Sequence, residues 1–520
     1  MSKMIVYQML PRLWGNQVKE PVRNGTLARN GCGKLSAIDS PTLTWLKDNL
    51  HVTHIWYTGI IRHATTESFP GLKASGQAVV KGKAGSPYAV TDYFDVNPYL
   101  ADNPDDRMAE FESLLKRTHA SDLKAVIDFI PNHVSRDYGK VGMSRKAISG
   151  DLGSEDDPSY HWKPANDFYY YPGEPLTLPN GGRYYENPAK ASGNCFSPSP
   201  GVNDWYETIR LNYCDFHTPT WDRMLEIVRY WCRKGVDGFR CDMVEMVPWQ
   251  FMKWLISAIK TEFPDVIFIA EVYQKDLYRL YIEEVGFDYL YDKSGLYDSL
   301  RAIAEHHGTA RSITWNWQSL SDLQPRMLNF IENHDEVRFA SDFFGGDPAK
   351  AASLLCAGAL LNDSPYMIYF GQEIGERGME AEGFSGLDGR TTIFDWWSVG
   401  SLGRQFGHIH GNTEITENEK TTLSMYRAIL SLAASHFGEK TFDLCYFNSR
   451  NDGFDPDKHF AFLRGGSGRA TLFVCNYSEE DATVTVRVPT EALDFMGYEK
   501  TETLTLSVPV KGSGYSVLPV

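Results

Sequence analysis

The feature that most restricts the fold of this chain is an alternation of short apolar runs with longer helical patterns. The apolar runs, each rich in β-branched and aromatic residues, lie near Ile5–Met9, His54–Thr58, Ala125–Phe129, Gly238–Asp242, Val266–Glu271, Phe287–Tyr291, Met327–Ile331 and Tyr366–Phe370. Continuous apolar runs of this length are typical of parallel strands that are buried on both faces. The sequence therefore predicts eight buried parallel strands.

Amphipathic helical patterns separate these runs. In one of them, Trp221, Leu225, Val228 and Cys232 recur at the spacing of a single helix face. The predicted helices are Arg107–His119, Trp221–Lys234, Trp249–Glu262, Leu277–Val285, Tyr297–His306 and Ala349–Leu361. Eight strands that alternate with helices predict an α/β fold of the (β/α)8 TIM barrel type.

Two segments interrupt this alternation. From Val134 to Pro219 no helical period is visible, and a segment of that length without regular structure is normally functional. After about Phe437 apolar and polar residues alternate, as in Ala482–Val486, which indicates strands of an antiparallel β-sandwich. We therefore predict a barrel formed by residues 1–133 and 220–436, an excursion domain of residues 134–219 over the barrel mouth, and a C-terminal β-sandwich domain of residues 437–520.

Composition excludes several classes of partner. The net charge of −16 and the pI of about 5.4 disfavour nucleic acid, whose binding depends on neutralisation of phosphates by basic side chains. No apolar run approaches the ~18 residues of a membrane span. The first residues lack the basic and apolar segments of a signal peptide, which favours the cytoplasm. The eight cysteines are scattered singly, as expected for reduced thiols.

Acidic and histidine side chains follow the predicted strands at their C-terminal ends, which is where barrel enzymes place catalytic groups. The third strand leads into Asp128–His133, the fourth ends at Asp242, the fifth ends at Glu271 and the seventh leads into His334 and Asp335. Because all strands of a barrel end at the same rim, we expect these side chains to converge on one site.

Asp242 and Glu271 end neighbouring predicted strands, and this arrangement suits glycoside cleavage with retention of configuration. That chemistry needs a carboxylate nucleophile and a second carboxyl group as acid and base, ~5–5.5 Å apart. Arg240 precedes Asp242 by two residues and therefore lies on the same side of the strand. Its charge is expected to keep Asp242 ionised. The wider separation of an inverting mechanism fits adjacent strands less well.

These strand-end segments resemble the signature regions of the α-amylase family, glycoside hydrolase family 13, and they occur in the same order. The matching segments are Asp128–His133, Gly238–Asp242, Glu271–Tyr273 and Phe330–Asp335. Ser86–Tyr93 is similar to the tyrosine-bearing loop of that family, and Ile368–Glu373 is similar to its eighth strand. The resemblance covers nearly the whole chain. It implies the same barrel, with the excursion as domain B and the C-terminal β-sandwich as domain C.

By this resemblance, Asp242 would be the nucleophile, Glu271 the acid/base and Asp335 the transition-state stabiliser. The resemblance also assigns substrate-binding residues. Tyr88 would stack under the sugar or simply pack, and His133 and His334 would bind its hydroxyl groups. Arg240 would orient the nucleophile. Asp128 and Asn132 would support the site.

The chain also departs from the family pattern. Glu245-Met246 replaces a Lys-His pair that contacts substrate and a structural calcium, and Arg210-Leu211-Asn212 replaces an Asp-Leu-Asn calcium segment. Asn132 remains a candidate calcium ligand, but the two replacements put that calcium in doubt; the chemistry itself needs no cofactor. We also assign Glu245 and Arg338 to substrate binding, although a solvated charge and an exposed salt bridge are the respective alternatives.

Three functions are compatible with these residues. The first is a hydrolase of mainly α-1,4-glucosidic bonds in maltooligosaccharides or starch-like glucans, which acts through a covalent glycosyl-enzyme intermediate. The second is a glucanotransferase or maltosyltransferase with the same chemistry but a sugar acceptor. The third is a non-catalytic amylase-like binding subunit, which the retention of all three carboxylates disfavours. The oligomeric state cannot be derived from the sequence.

Overall fold

The predicted barrel is confirmed by the structure, a computed structural model that describes residues 3–144, 151–435, 437–438, 440–499 and 502–520. Its strands are β1 Ile5–Met9, β2 His54–Tyr57, β3 Lys124–Phe129, β4 Gly238–Cys241, β5 Ile267–Ala270, β6 Tyr289–Tyr291, β7 Met327–Leu328 and β8 Tyr366–Tyr369. All are parallel, in the order β7-β6-β5-β4-β3-β2-β1-β8. A parallel bridge between Asn329 and Tyr366 joins the two ends of this sheet.

Helices cover the outside of the barrel. They are α1 Ser40–Leu50, α2 Arg107–Ala120, α3 Pro219–Lys234, α4 Trp249–Glu262, α5 Asp298–Ala304, α6 Arg311–Leu320, α7 Ala352–Leu360, α8 Gly400–Ile409 and α9 Glu417–Ala434. Helix α3 shows how the sequence sets these limits. Pro219 occupies its first turn, where an N–H is not needed, and Gly235 ends it in the left-handed conformation at φ 98°. In the part of the chain that the structure describes, no helix has the length and apolar character required to cross a bilayer.

The prediction was less accurate for the helix expected over Leu277–Val285. The structure has a 3-10 turn at Lys275–Leu277 and a π-helical turn at Leu280–Val285. Over so few residues, the buried positions Tyr281, Ile282 and Val285 cannot distinguish an α-helical period from a wider one. The neighbouring helix expected over Tyr297–His306 likewise begins with a π-helical turn at Lys293–Tyr297.

The excursion leaves the barrel after β3 and returns at α3. A short antiparallel ladder between His133–Ser135 and Thr208–Arg210 forms its base, and Tyr170–Tyr171 pairs with Ala189–Lys190 further out. The C-terminal residues form two antiparallel sheets. One contains Lys440–Asp443, His459–Gly466, Arg469–Asn476 and Tyr515–Pro519, and the other contains Ala482–Val488 and Leu504–Val510, joined by a helix at Thr490–Met496. Our exact domain limits remain predictions, and residue 436 lies outside the described residues.

The register of the barrel places the functional side chains. Cys241 at the end of β4 is level with Ala270 at the end of β5. The next residues, Asp242 and Glu271, therefore leave their strands side by side. Below them, the interior of the barrel is filled by apolar side chains that include Val6, Val126 and Ile269, so the rim rather than the interior is open for a ligand.

Candidate active site

Arg240 is the central cation of the site. It is 1% exposed, and its guanidinium lies 5.3, 5.4 and 5.5 Å from the ring centroids of Trp56, Tyr88 and Tyr291. Its Nε also donates a hydrogen bond of 3.2 Å to the hydroxyl of Tyr291. Aromatic faces attract a cation and leave it few alternative positions. The side chain is thus held in one orientation.

This guanidinium binds both predicted reacting carboxylates. Its Nη1 donates to Asp242 Oδ1 at 2.7 Å, and its Nη2 lies 2.8 Å from Glu271 Oε2. Asp242 and Glu271 are 6% and 3% exposed, so water screens these contacts weakly. The structure therefore brings the two carboxylates together at the ends of β4 and β5, around one planar fork.

Two further donors hold Glu271. The backbone N–H of Met243 donates to Oε2 at 2.9 Å, and the hydroxyl of Tyr273 donates to Oε1 at 2.6 Å. Met243 has the left-handed conformation, φ 46° and ψ 44°, which costs a side-chain-bearing residue roughly 1–2 kcal/mol. This turn directs the N–H at Glu271. Neither donor carries a signal in the sequence, because both contacts exist only once the loops are placed.

Burial and neighbouring charges act on the pKa of Asp242. Burial raises it, the neighbouring charge of Glu271 raises it further, and Arg240 lowers it without restoring the ordinary value. The net pKa lies well above that of a free aspartate, so Arg240 offsets these effects only in part. That Arg240 keeps Asp242 ionised stays a prediction. Burial penalises every charge, and one guanidinium is shared by two carboxylates.

Asp335 faces the same cavity from the loop after β7. Its side chain retains 43% of its surface exposed, and its Oδ2 lies 3.2 Å from His334 Nε2. Its backbone is fixed by Asn333, whose Oδ1 accepts from the Asp335 N–H at 2.9 Å, and by Arg390, whose Nε donates to the Asp335 carbonyl at 2.7 Å. Partial burial and the charge of Glu271 raise the pKa of Asp335 to about 7.

Tyr88 and His334 form one hydrogen-bonded unit with Asp128. Gln8 Nε2 is 2.8 Å from His334 Nδ1, which leaves His334 Nε2 to donate to the Tyr88 hydroxyl. That hydroxyl lies 3.5 Å from Asp128 Oδ1, and Asp128 also accepts from the Gly59 N–H at 3.1 Å. Burial lowers the pKa of His334 well below its usual value, so the ring is neutral. Asp128 thus lies beneath the cavity beside Tyr88, and its support role stays a prediction.

His133 and Asn132 lie at the base of the excursion. His133 is 3% exposed, lines the cavity and packs against Trp205 at 5.0 Å between ring centroids. Burial, with the charges of Arg210 and Lys81, lowers its pKa to about 3. Asn132 donates from Nδ2 to the Gly193 carbonyl at 2.9 Å and supports the base of the excursion.

These groups surround one cavity of about 350 Å³ at the rim of the barrel. It is lined by Lys81, Ser86, Tyr88, His133, Trp205, Glu207, Thr208, Asp242, Met243, Glu271, Tyr273, Asp335, Ile393 and Phe394. A larger cleft of about 800 Å³ contains none of the predicted site residues, so size alone does not identify the site. The cavity is at the lower end of the ~300–1,000 Å³ range of small-molecule sites, which suits a short stretch of sugar.

The cavity also shows residues that the sequence did not indicate. Lys81 lies 3.1 Å from Glu207 Oε1 and so joins the loop after β2 to the excursion. Trp205 and Phe394 supply aromatic faces from the excursion and from the loop after β8. These residues come from distant segments and carry no local motif.

The predicted substrate contact of Arg338 is wrong. The side chain is fully buried, its Nη1 donates to Glu332 Oε2 at 3.0 Å, and its Nε donates to Thr391 Oγ1 at 2.8 Å. Its guanidinium lies 3.9 Å from the Tyr369 ring centroid. The internal charge of Glu332 and the Tyr369 ring hold this arginine beneath the rim, where substrate cannot reach it.

Glu245 holds a loop beside the site. Its two carboxylate oxygens accept from the backbone N–H groups of Tyr273 and Gln274, at 3.0 and 2.9 Å. It therefore fixes the residue that donates to Glu271. The sugar contact predicted for Glu245 remains a prediction.

The residues around Asn132 do not fit a calcium ion. Calcium takes six to eight oxygen ligands, usually with carboxylates among them. Asn132 Oδ1 has no hydrogen-bond partner, but the nearby carbonyls of Gly193 and Met246 accept from the guanidinium of Arg210, at 3.1 and 2.8 Å. A divalent cation would be repelled by this charge. Across the described ranges, no cluster of three or more His, Cys, Asp or Glu side chains is suited to a metal.

The chain is similar to known proteins over most of its length. The model of the family described as "Alpha amylase, catalytic domain" matches residues 23–424. The chain is 24% identical over 347 residues to Alpha-amylase 3 of Dictyoglomus thermophilum, covering 64% of this chain and 59% of that protein. It is 27% identical over 397 residues to a cyclomaltodextrin glucanotransferase of Geobacillus stearothermophilus, covering 71% of this chain and 49% of that protein.

The match to solved structures extends over the whole fold. A debranching enzyme from Nostoc punctiforme, soaked with acarbose, aligns with a TM-score of 0.66 and 17% sequence identity, covering 100% of this chain and 98% of that one. At this identity the match supports the fold alone. By contrast, the matched region spans 59% and 49% of the length of the two curated relatives named above, which is less than two thirds.

Proposed function

Because the chain belongs to the α-amylase family, we propose that it is a retaining glycosidase that cleaves α-glucosidic bonds, mainly α-1,4, in maltooligosaccharides or starch-like glucans. The observation that carries this proposal is that one guanidinium, that of Arg240, contacts both Asp242 and Glu271. Both carboxylates line a cavity that Asp335 also lines. Contact with a single guanidinium favours a short separation between the two carboxyl groups. This supports the ~5–5.5 Å of a retaining pair over the ~6.5–9.5 Å of an inverting pair.

In the first step, Asp242 attacks the anomeric carbon and forms a glycosyl ester. The bond from that carbon to the leaving oxygen breaks as Glu271 transfers its proton to this oxygen. In the arrangement that reacts, Glu271 carries the proton to be transferred, and Asp242 is the carboxylate that Arg240 binds at Oδ1. Asp335, as a carboxylate, stabilises the positive charge that develops at the sugar.

In the second step, Glu271 accepts a proton from the incoming hydroxyl. The oxygen of that hydroxyl bonds to the anomeric carbon, and the ester to Asp242 breaks. With water as the acceptor the reaction is hydrolysis. The two substitutions invert the anomeric carbon twice, so the first product keeps the configuration of the substrate.

Transfer to a sugar acceptor is the second candidate function. A glucanotransferase is among the relatives, and a tyrosine, Tyr273, lines the cavity beside the acid/base Glu271, where an acceptor ring would enter. Sugar rings pack on aromatic faces, so this side chain could retain an acceptor against water. A non-catalytic role is disfavoured because the three carboxylates share one cavity.

Products from maltotriose, maltoheptaose and pullulan test the proposal, with the anomeric form followed by NMR. We expect shorter maltooligosaccharides whose new reducing ends are initially α, and no such products from the Asp242→Ala variant. Products longer than the substrate would establish transfer. Initially β products from an α-linked substrate would contradict retention, and unchanged turnover by Asp242→Ala would contradict the catalytic assignment.

A further inference from the structure

Arg210 occupies the junction between the excursion and the barrel. It ends the strand Thr208–Arg210, which pairs with His133–Ser135 at the base of the excursion. Its guanidinium donates from Nη1 to the carbonyl of Gly193, within the excursion, and from Nη2 to the carbonyl of Met246, within the barrel loop after β4. One side chain thus joins two parts of the fold.

The charge of Arg210 is met by neutral groups. Among the described residues, no carboxylate forms an ion pair with it, and the ring of Phe196 lies 4.9 Å from its guanidinium carbon. A cation surrounded by carbonyl oxygens is the arrangement that a structural metal ion also uses. Here the cation is covalently attached to the chain and fixed by the β-ladder, so no ion has to be recruited from solution.

Both ends of this link lead to residues that line the cavity. The carbonyl of Gly193 also accepts from Asn132, the residue before the cavity-lining His133. Met246 ends the turn Val244–Met246, and the backbone N–H of Met246 donates to the carbonyl of Met243 at 2.9 Å. Met243 in turn donates to Glu271. Displacement of the link would therefore shift both walls of the cavity.

We propose that Arg210 is the internal cation that fastens the excursion to the loop behind the nucleophile, and that this chain needs no calcium ion at the junction. The proposal does not depend on the reaction assigned above, because it concerns how the two parts of the fold are joined. It assigns Arg210 as a positioning residue that touches neither substrate nor the reacting atoms.

The test compares Arg210→Met with Arg210→Lys and with Arg183→Met, which removes an exposed arginine of the same excursion. For each protein, thermal unfolding is measured with calcium chloride and with EDTA, and the rate of proteolytic cleavage within residues 151–205 is measured under native conditions. The unaltered chain should show the same Tm with calcium and with EDTA. Arg210→Met should lower the Tm by several degrees and accelerate cleavage, Arg210→Lys should do so less, and Arg183→Met should do neither.

A Tm of the unaltered chain that falls with EDTA or rises with calcium would overturn the proposal, because a metal would then stabilise the fold. Arg210→Met with the Tm and cleavage rate of Arg183→Met would overturn it as well. If Arg210→Met fails to fold, the Tm and cleavage rate of Arg210→Lys test the proposal in its place, because a single ammonium group cannot reproduce both hydrogen bonds of the planar guanidinium. These measurements need no substrate, so they stand even if the proposed activity is absent.

Discussion

Replacement of Tyr273 by phenylalanine is the sharpest probe of the acid/base assignment. The change removes one hydroxyl, which donates to Glu271 Oε1 at 2.6 Å, and leaves the ring in place. Glu245 still holds the backbone N–H groups of Tyr273 and Gln274, so the loop should keep its position. Glu271 retains Arg240 and Met243 as partners but is free to turn about its remaining contacts.

The expected fall in kcat/KM follows from the hydrogen bond that is lost. Glu271 becomes a carboxylate as it transfers its proton, and a hydrogen bond to a charged group contributes ~1.5–3 kcal/mol. Each ~1.36 kcal/mol corresponds to a tenfold change in rate. If the bond orients Glu271 in the transition state, kcat/KM on maltoheptaose should fall about 10- to 150-fold, with most of the loss in kcat.

The assay compares maltoheptaose with α-maltosyl fluoride. Fluoride leaves without a proton, so a defect in the general acid should nearly disappear from kcat/KM on this substrate, to less than about threefold. Tyr278→Phe is the matched control, because this buried tyrosine follows in the same segment and its hydroxyl is not among the described donors to Glu271. Equal losses on both substrates, or no loss on either, would refute the orienting role of Tyr273.

Three further predictions address the reacting carboxylates and the buried arginine. Asp242→Asn should reduce turnover of maltoheptaose by ~10⁴-fold or more, as measured by reducing-end release, because the nucleophile is lost; a modest loss would contradict the assignment. Since burial and Glu271 raise the pKa of Asp335 to about 7, it is protonated below that pH, and kcat/KM should decline as the pH falls through about 7; an acid limb near pH 4 would refute this. Arg338→Met should lower the free energy of unfolding by ~3–5 kcal/mol in urea, because Glu332 is left as an unpaired buried charge. Any folded Arg338→Met enzyme should keep its KM, and a large rise in KM would restore the substrate contact that we reject.

The sequence alone determined the barrel and the convergence of its acidic residues. Strands β1 to β8 begin and end within three residues of their predicted limits, because a parallel strand that is buried on both faces leaves a short continuous apolar run in the sequence. Strand-end positions then meet at one rim in any closed parallel barrel, so Asp242, Glu271 and Asp335 could be placed in one cavity without coordinates.

Only the tertiary structure decided how these residues are connected. The sequence suggested that Arg240 accompanies Asp242, but the sharing of its guanidinium with Glu271 depends on the register between β4 and β5. Arg338 has the same local pattern as an exposed charge, and its burial follows from how the loops after β7 and β8 pack. Arg210 gains its role from carbonyls 17 and 36 residues away. Periodicity records whether a side chain faces the core, whereas the partner of a charge is set by contacts between distant segments, which exist only once the chain has folded.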